Sequence, residues 1–254
     1  TIPSGVSLAP GGGLTLTGNF VVDGGTVKLD GNYPTGTDNV AIGDTALDSV
    51  EAGGINNVAI GDHAGTAITT GDCNTAVGKD ALDASTTASY NTAIGFNSLT
   101  TNTSGNVNTA VGMGSAQQNT EGTNLVAVGA RALEQNTTGS CNTALGKNAL
   151  LCNTTASNNT AVGFESLCAN TTGSPNTAVG SCALLANTTG SNNTAIGYQS
   201  LQSNTSGIRN TAIGHGTLNL NVSGQCNIAI GQVALNKNTA SNNTAIGINA
   251  MEEN

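Results

Sequence analysis

The sequence predicts an all-β chain, a parallel β-solenoid or β-roll of about thirteen 17-residue coils, and three observations predict it. The phrase Asn193-Thr194-Ala195-Ile196-Gly197 and its variants return thirteen times, closing on Gly43, Gly61, Gly78, Gly95, Gly112, Gly129, Gly146, Gly163, Gly180, Gly197, Gly214, Gly231 and Gly247. The step is 17 residues through the middle, with one of 18 at the start and one of 16 at the end. A fixed short period is the mark of a stacked array. Each unit also breaks its β-branched run with glycine, which suits short strands and turns but costs a helix about 1 kcal/mol per glycine.

Residues 1–38 do not carry the repeat. Glycines there separate runs such as Leu14-Thr15-Leu16-Thr17 and Phe20-Val21-Val22, which read as short strands and turns. Pro34 and Gly36 mark a loop into the array. A solenoid end is an open strand edge, so this segment is expected to serve as a cap or lead-in. The array then runs over residues 39–254. Thr1 as first residue and a unit interrupted at Asn254 lead us to expect a piece of a longer protein.

Counting the Asn of each phrase as place one, place two is β-branched throughout, place three is always Ala, place four is Ile, Val or Leu, and place five is Gly. Place nine is usually Leu, as at Leu99, Leu133 and Leu201. Place twelve carries Asn102, Asn119, Asn136, Asn153, Asn170, Asn187, Asn204, Asn221 and Asn238, each opening a polar turn. Each coil is expected to hold two strands, one at residues 194–196 and one around Leu201. Coils stacked about 4.8 Å apart make a rod of about 62 Å. In such a stack the asparagines form a ladder, since each amide carries both donors and an acceptor. Asn136-Thr137-Thr138 and its copies are formal glycosylation sequons; turn chemistry accounts for them more simply.

Side chains alternate along a strand. Places two and four are therefore expected to face the core, and place three to face out. An outward column that accepts only Ala is crowded, so Ala76, Ala93, Ala110, Ala127, Ala144, Ala161, Ala178, Ala195, Ala212 and Ala229 are expected to pack against partner chains. One coil offers about two large aliphatic side chains, worth roughly 1.5–3 kcal/mol each. Ordering its residues costs on the order of 1–2 kcal/mol apiece, which favours added burial between chains. The competing reading is a monomer whose Ala column faces its own second strand.

Asn-Val-Ala-Ile-Gly at 39–43 and 57–61, with its Asn-Thr-Ala-Ile-Gly copies, resembles the head repeats of trimeric autotransporter adhesins. Those are left-handed parallel β-rolls assembled as trimers. The longer unit with Asn-Thr-Thr-Gly-Ser turns is similar to arrays in phage tail-fibre proteins, and the lead-in at 24–34 resembles structural proteins of marine phages. Adhesin heads usually have a shorter repeat, so fine geometry and interface differ between the two. The resemblance implies a homotrimeric fibre, the shaft or head of a viral tail fibre that attaches to a host-surface receptor, in an extracellular setting on the virion or a cell surface. Two alternatives accompany it: a bacterial trimeric surface adhesin, and an ice-binding β-solenoid suggested by the Thr columns. The ice reading ranks low, because an ice binder needs a flat, exposed Thr-rich face, whereas Thr at place two shares its face with the aliphatic residue of place four and the other threonines sit in turns.

A net charge of −9 with six Lys and Arg lacks the basic footprint that nucleic acid requires. No apolar run approaches the roughly 18 residues of a membrane span, so no membrane insertion is expected. No enzyme, cofactor or metal site is expected either. His63 and His215 sit nine coils apart, about 43 Å at strand spacing, and no nucleophile, base and orienter converge. Asp44 and Asp62 share a place on adjacent coils, where a solvated surface competes with a weak cation site. Phe96, Phe164 and Tyr198, all at place six, are the aromatic candidates for a contact surface, with coverage of a seam or turn as the competing role. The six cysteines show no zinc spacing and read as free thiols, a neighbour-coil disulfide being the alternative.

Overall fold

A computed structural model describes residues 38–252. The strands and turns expected for residues 1–38 lie outside the described residues but for Asp38. Thirteen short strands run from β1 (Val40–Ile42) and β2 (Val58–Ile60) through β10 (Asn193–Ile196) to β13 (Thr244–Ile246). They form one parallel sheet in strict chain order. Each coil returns the chain one strand over, so like places meet: Val40 opposite Val58, Ala195 opposite Ala212. The fold is a β-solenoid of about twelve turns, as the period predicts, and no helix occurs among the described residues.

Only one strand per coil forms. The second, expected around Leu201, is replaced by left-handed turns. Place five is Gly at φ near +130°, place seven follows at +54° to +65°, and place nine at +47° to +60°. Leu201 itself sits at φ +49° with no exposed surface. An L-residue in this region loses roughly 1–2 kcal/mol. Burying a leucine returns about 1.5–3 kcal/mol, so leucine wins where glycine would leave a void. The turns still bond coil to coil, as Leu201 N–H to Thr217 O at 2.9 Å and Ser203 N–H to Asn219 O at 3.0 Å. Stacking therefore satisfies the backbone around the circumference, not in the sheet alone.

The sequence argument about facing is reversed. Ala195 and its counterparts at place three are sealed inside the single chain, in one hydrophobic cluster with the place-nine leucines and the small residues of place eight, such as Ala183 and Ala234. Places two and four point outward instead; Ile196 is 39% exposed. Ala76, Ala93, Ala110, Ala127, Ala144, Ala161, Ala178, Ala195, Ala212 and Ala229 therefore offer no surface to a partner chain. Their own interior explains their invariance. Leucines reaching across a narrow coil leave room for a methyl opposite, and larger groups would overpack it at about 1–3 kcal/mol each.

Candidate functional site

The inversion creates the principal surface of the rod. Thr or an aliphatic residue at place two and Ile, Val or Leu at place four stand side by side on the outer face of all thirteen strands. In-register parallel pairing aligns them into two continuous columns. Ile42, Ile60, Ile94, Leu145, Ile196 and Ile230 are all exposed. An exposed column that never admits a polar residue is unusual for a free surface, and patches of this kind mark contact sites. Sequence reasoning found the invariance of this strand but attached it to the wrong face, because alternation gives parity without saying which parity is inward.

The predicted Asn ladder forms, and it forms twice. At place twelve, Asn136 Nδ2 donates to Asn119 Oδ1 at 2.8 Å and to Gly139 O at 2.9 Å, and Asn153 Nδ2 donates back to Asn136 Oδ1 at 2.8 Å. The chain of bonds begins at Asn102 and passes through Asn119, Asn136, Asn153, Asn170, Asn187 and Asn204 to Asn221. Asn221 Oδ1 is left without a partner, where the 16-residue step draws Asn238 toward Ala240 instead. A second ladder occupies place one. Asn193 Oδ1 accepts Asn210 N–H at 3.0 Å, and Asn193 Nδ2 crosses the coil to Gly207 O at 2.8 Å. Gly207 O also accepts from Asn204 Nδ2, so the two ladders meet on one carbonyl where a coil carries both asparagines, and the place-one ladder is interrupted at Leu125. With both amide hydrogens of Asn136 used and the side chain sealed, these asparagines serve the turn rather than glycan attachment.

At place six the three aromatics differ. Lys147 Nζ lies 6.0 Å from the centre of the Phe164 ring, a weak cation–π contact. Tyr198 stacks on His215, with ring centres 5.4 Å apart and planes 6° from parallel. Phe96 takes neither role; its ring borders a notch of about 180 Å³ with Asn97, Met113, Gly114, Gln117, Arg131 and Glu134. Sequence reasoning named Phe96 but missed the notch. Its available signal was Gly114, at a place that elsewhere carries a side chain in all but one coil.

Ionisable groups gather at the second and third coils. His63 Nδ1 lies 3.1 Å from Asp80 Oδ1, and Lys79 pairs with Asp62. The bond from Lys79 holds the Asp62 carboxyl below its ordinary value and raises the Lys79 ammonium in turn. Burial pushes the Asp83 carboxyl up, with Asp80 adding to it. Asp62 thus turns to Lys79, and among the described residues no group of three or more His, Cys, Asp or Glu could hold a metal ion. His63 and His215 remain at opposite ends of the array.

All six cysteines are free. Burial pushes the Cys168 thiol up to about 11, helped by neighbouring Cys152, whose own thiol burial also raises. Thiolate is the reactive form, and its fraction falls as the pKa climbs. Alkylation of the native chain at about pH 8.5 is therefore expected to modify exposed Cys73, Cys141 and Cys226 first and Cys168 last. Peptide mapping over time checks the order; early labelling of Cys168 contradicts its burial.

Comparison of the chain with protein-family models, curated proteins and solved structures finds no match.

Proposed function

We propose that this chain is a structural fibre element, with the exposed place-two and place-four columns covered by parallel copies of itself and the rod used in attachment to a host-surface receptor. One observation carries the reading: thirteen successive coils keep an aliphatic residue at an outward position. In-register columns on one rod repeat at the same step as those on another, which supports contact between copies at successive coils. The number three comes from the resemblance to trimeric adhesin heads and phage tail fibres. Attachment to a virion or a cell surface comes from the same resemblance, and a bacterial adhesin would share the assembly.

Sedimentation of the native chain is the test. A particle three times the 24.9 kDa chain mass is expected. Ile94→Lys with Ile196→Lys places charges on the outer face of two coils without entering the core. The double variant is expected to sediment as a folded single chain. A wild-type chain that is already single at micromolar concentration contradicts the assembly.

Ice binding stands as a second reading because the structure turns Thr75, Thr92, Thr109, Thr143, Thr160, Thr177, Thr194 and Thr211 outward rather than inward. The two readings compete for one face. Thermal hysteresis from a single-chain species, abolished by Thr→Lys on that face, would favour ice over the fibre.

A further inference from the structure

The notch beside Phe96 is built differently from most of the rod, a left-handed glycine at place seven recurring at Gly216, beside Tyr198 and His215. Place seven projects a side chain in most coils, in a left-handed conformation shared by Asn97 at φ +56° and Asn148 at +59°. Gly114 takes the same conformation at +65° but leaves the space above it open. An atom built where its Cβ would stand lies 3.4 Å from Gln117 Oε1, 3.8 Å from Arg131 Cγ and 3.8 Å from Glu134 Oε1. Two acceptor oxygens therefore border the space that the glycine vacates.

Arg131 and Glu134 are fixed against each other. Arg131 Nε and a terminal guanidinium nitrogen both reach Glu134 Oε2 at 2.8 Å. This fork cancels the two charges, leaves further N–H donors on the guanidinium and leaves Glu134 Oε1 as an acceptor. Phe96, 48% exposed, and Met113 supply an apolar wall. The notch thus offers donors, acceptors and an aromatic face with no net charge. An anion would meet the Glu134 and Gln117 oxygens, in a chain whose net charge is already −9. A purely apolar group would leave those polar atoms without water or partner. At about 180 Å³ the space falls below the roughly 300–1,000 Å³ of drug-sized pockets, a scale that suits one ring unit.

We propose that this notch is a binding subsite for one pyranose unit of a neutral glycan, with the C–H face of the sugar on Phe96 and its hydroxyls on Arg131, Glu134 and Gln117. Phe164 and Tyr198 are not equivalent, because Lys147 and His215 already occupy positions against their rings. As the class of receptor met by the fibre, the glycan rests on the attachment reading. The binding itself does not, since the notch belongs to neighbouring coils of one chain.

The full chain is applied to a printed array of neutral oligosaccharides of glucose, galactose, mannose and N-acetylhexosamines, alongside sialylated and sulfated ones. Binding to neutral members is expected, weakened about tenfold or more, or about 1.4 kcal/mol, by Phe96→Ala and by Gly114→Asn. Asn is compatible with this backbone, as Asn97 and Asn148 show, so an unchanged melting profile is expected for Gly114→Asn. Tyr198→Ala is expected to retain binding. Failure to bind any neutral glycan, capture of acidic glycans alone, or binding that survives both notch substitutions overturns the proposal. Particle mass is a separate readout, so loss of the assembly reading leaves this result intact.

Discussion

Gly197→Ala is expected to destabilise the rod by about 3 kcal/mol or more, the sum of backbone strain and a stacking clash. Gly197 has φ +128°, where an L-residue is strained by on the order of 1–3 kcal/mol. Its Cβ would also stand 2.5 Å from the carbonyl oxygen of Gly214 on the next coil. Both atoms belong to backbone that is bonded into the stack, so neither can move alone. Gly247 separates the two effects. It shares the backbone conformation at φ +132°, but its added Cβ would meet nothing nearer than Ala250 Cβ at 3.8 Å. Gly247→Ala is therefore expected to cost only the conformational part. Denaturant unfolding and hydrogen exchange of the flanking coils measure both variants; equal losses would show that the stacking clash plays no part.

Asn187→Ala is expected to cost about 2–3 kcal/mol, although it removes only a small polar group. Asn187 Nδ2 donates to Asn170 Oδ1 at 2.8 Å and Gly190 O at 3.0 Å, and its Oδ1 accepts from Asn204 Nδ2 at 2.8 Å. Gly190 O keeps a second donor in Asn176, and Asn204 keeps Gly207 O. The loss therefore falls chiefly on Asn170 Oδ1, which is left buried without a partner. Asn187→Asp makes a sharper test. Its carboxylate would face Asn170 Oδ1 and Gly190 O, both acceptors, in a sealed position. Burial and those oxygens raise the folded-state pKa of the acid above its unfolded value. A raised acid is destabilising where it is charged, so the penalty is full above the folded pKa and fades as pH falls toward the unfolded value. Between about pH 7 and about pH 4, the Asp variant is expected to recover stability relative to wild type and the Ala variant is not. Parallel behaviour of the two would contradict the acceptor-lined surroundings of this side chain.

These two substitutions touch what was most legible in the sequence. Glycine at place five and asparagine at place twelve are each restricted by backbone conformation or hydrogen-bond count, constraints that belong to the residue type. The notch was less legible. Phe96 stood out as an aromatic in a chain with almost none, but nothing in the linear order brings Gly114, Arg131 and Glu134 to it; coil stacking does. The outer apolar face was visible as a pattern and assigned to the interior. The place-nine leucines were read as strand residues, since left-handed backbone is uncommon for leucine and the sequence carries no marker for it.

The sequence alone determined the period, the parallel in-register stacking and the place-twelve asparagine ladder, because each follows from like residues recurring at a fixed step; that each coil keeps one strand rather than two was decided by the left-handed turns. Tertiary structure alone decided which side of the strand is the inside. Strands of three residues, such as Thr211–Ile213, give only two parities, and both place apolar groups on each face of Thr-Ala-Ile. The choice is made by volume: left-handed turns swing leucine into a narrow coil from the opposite wall, a methyl fits the remaining gap, and isoleucine is turned out to the surface.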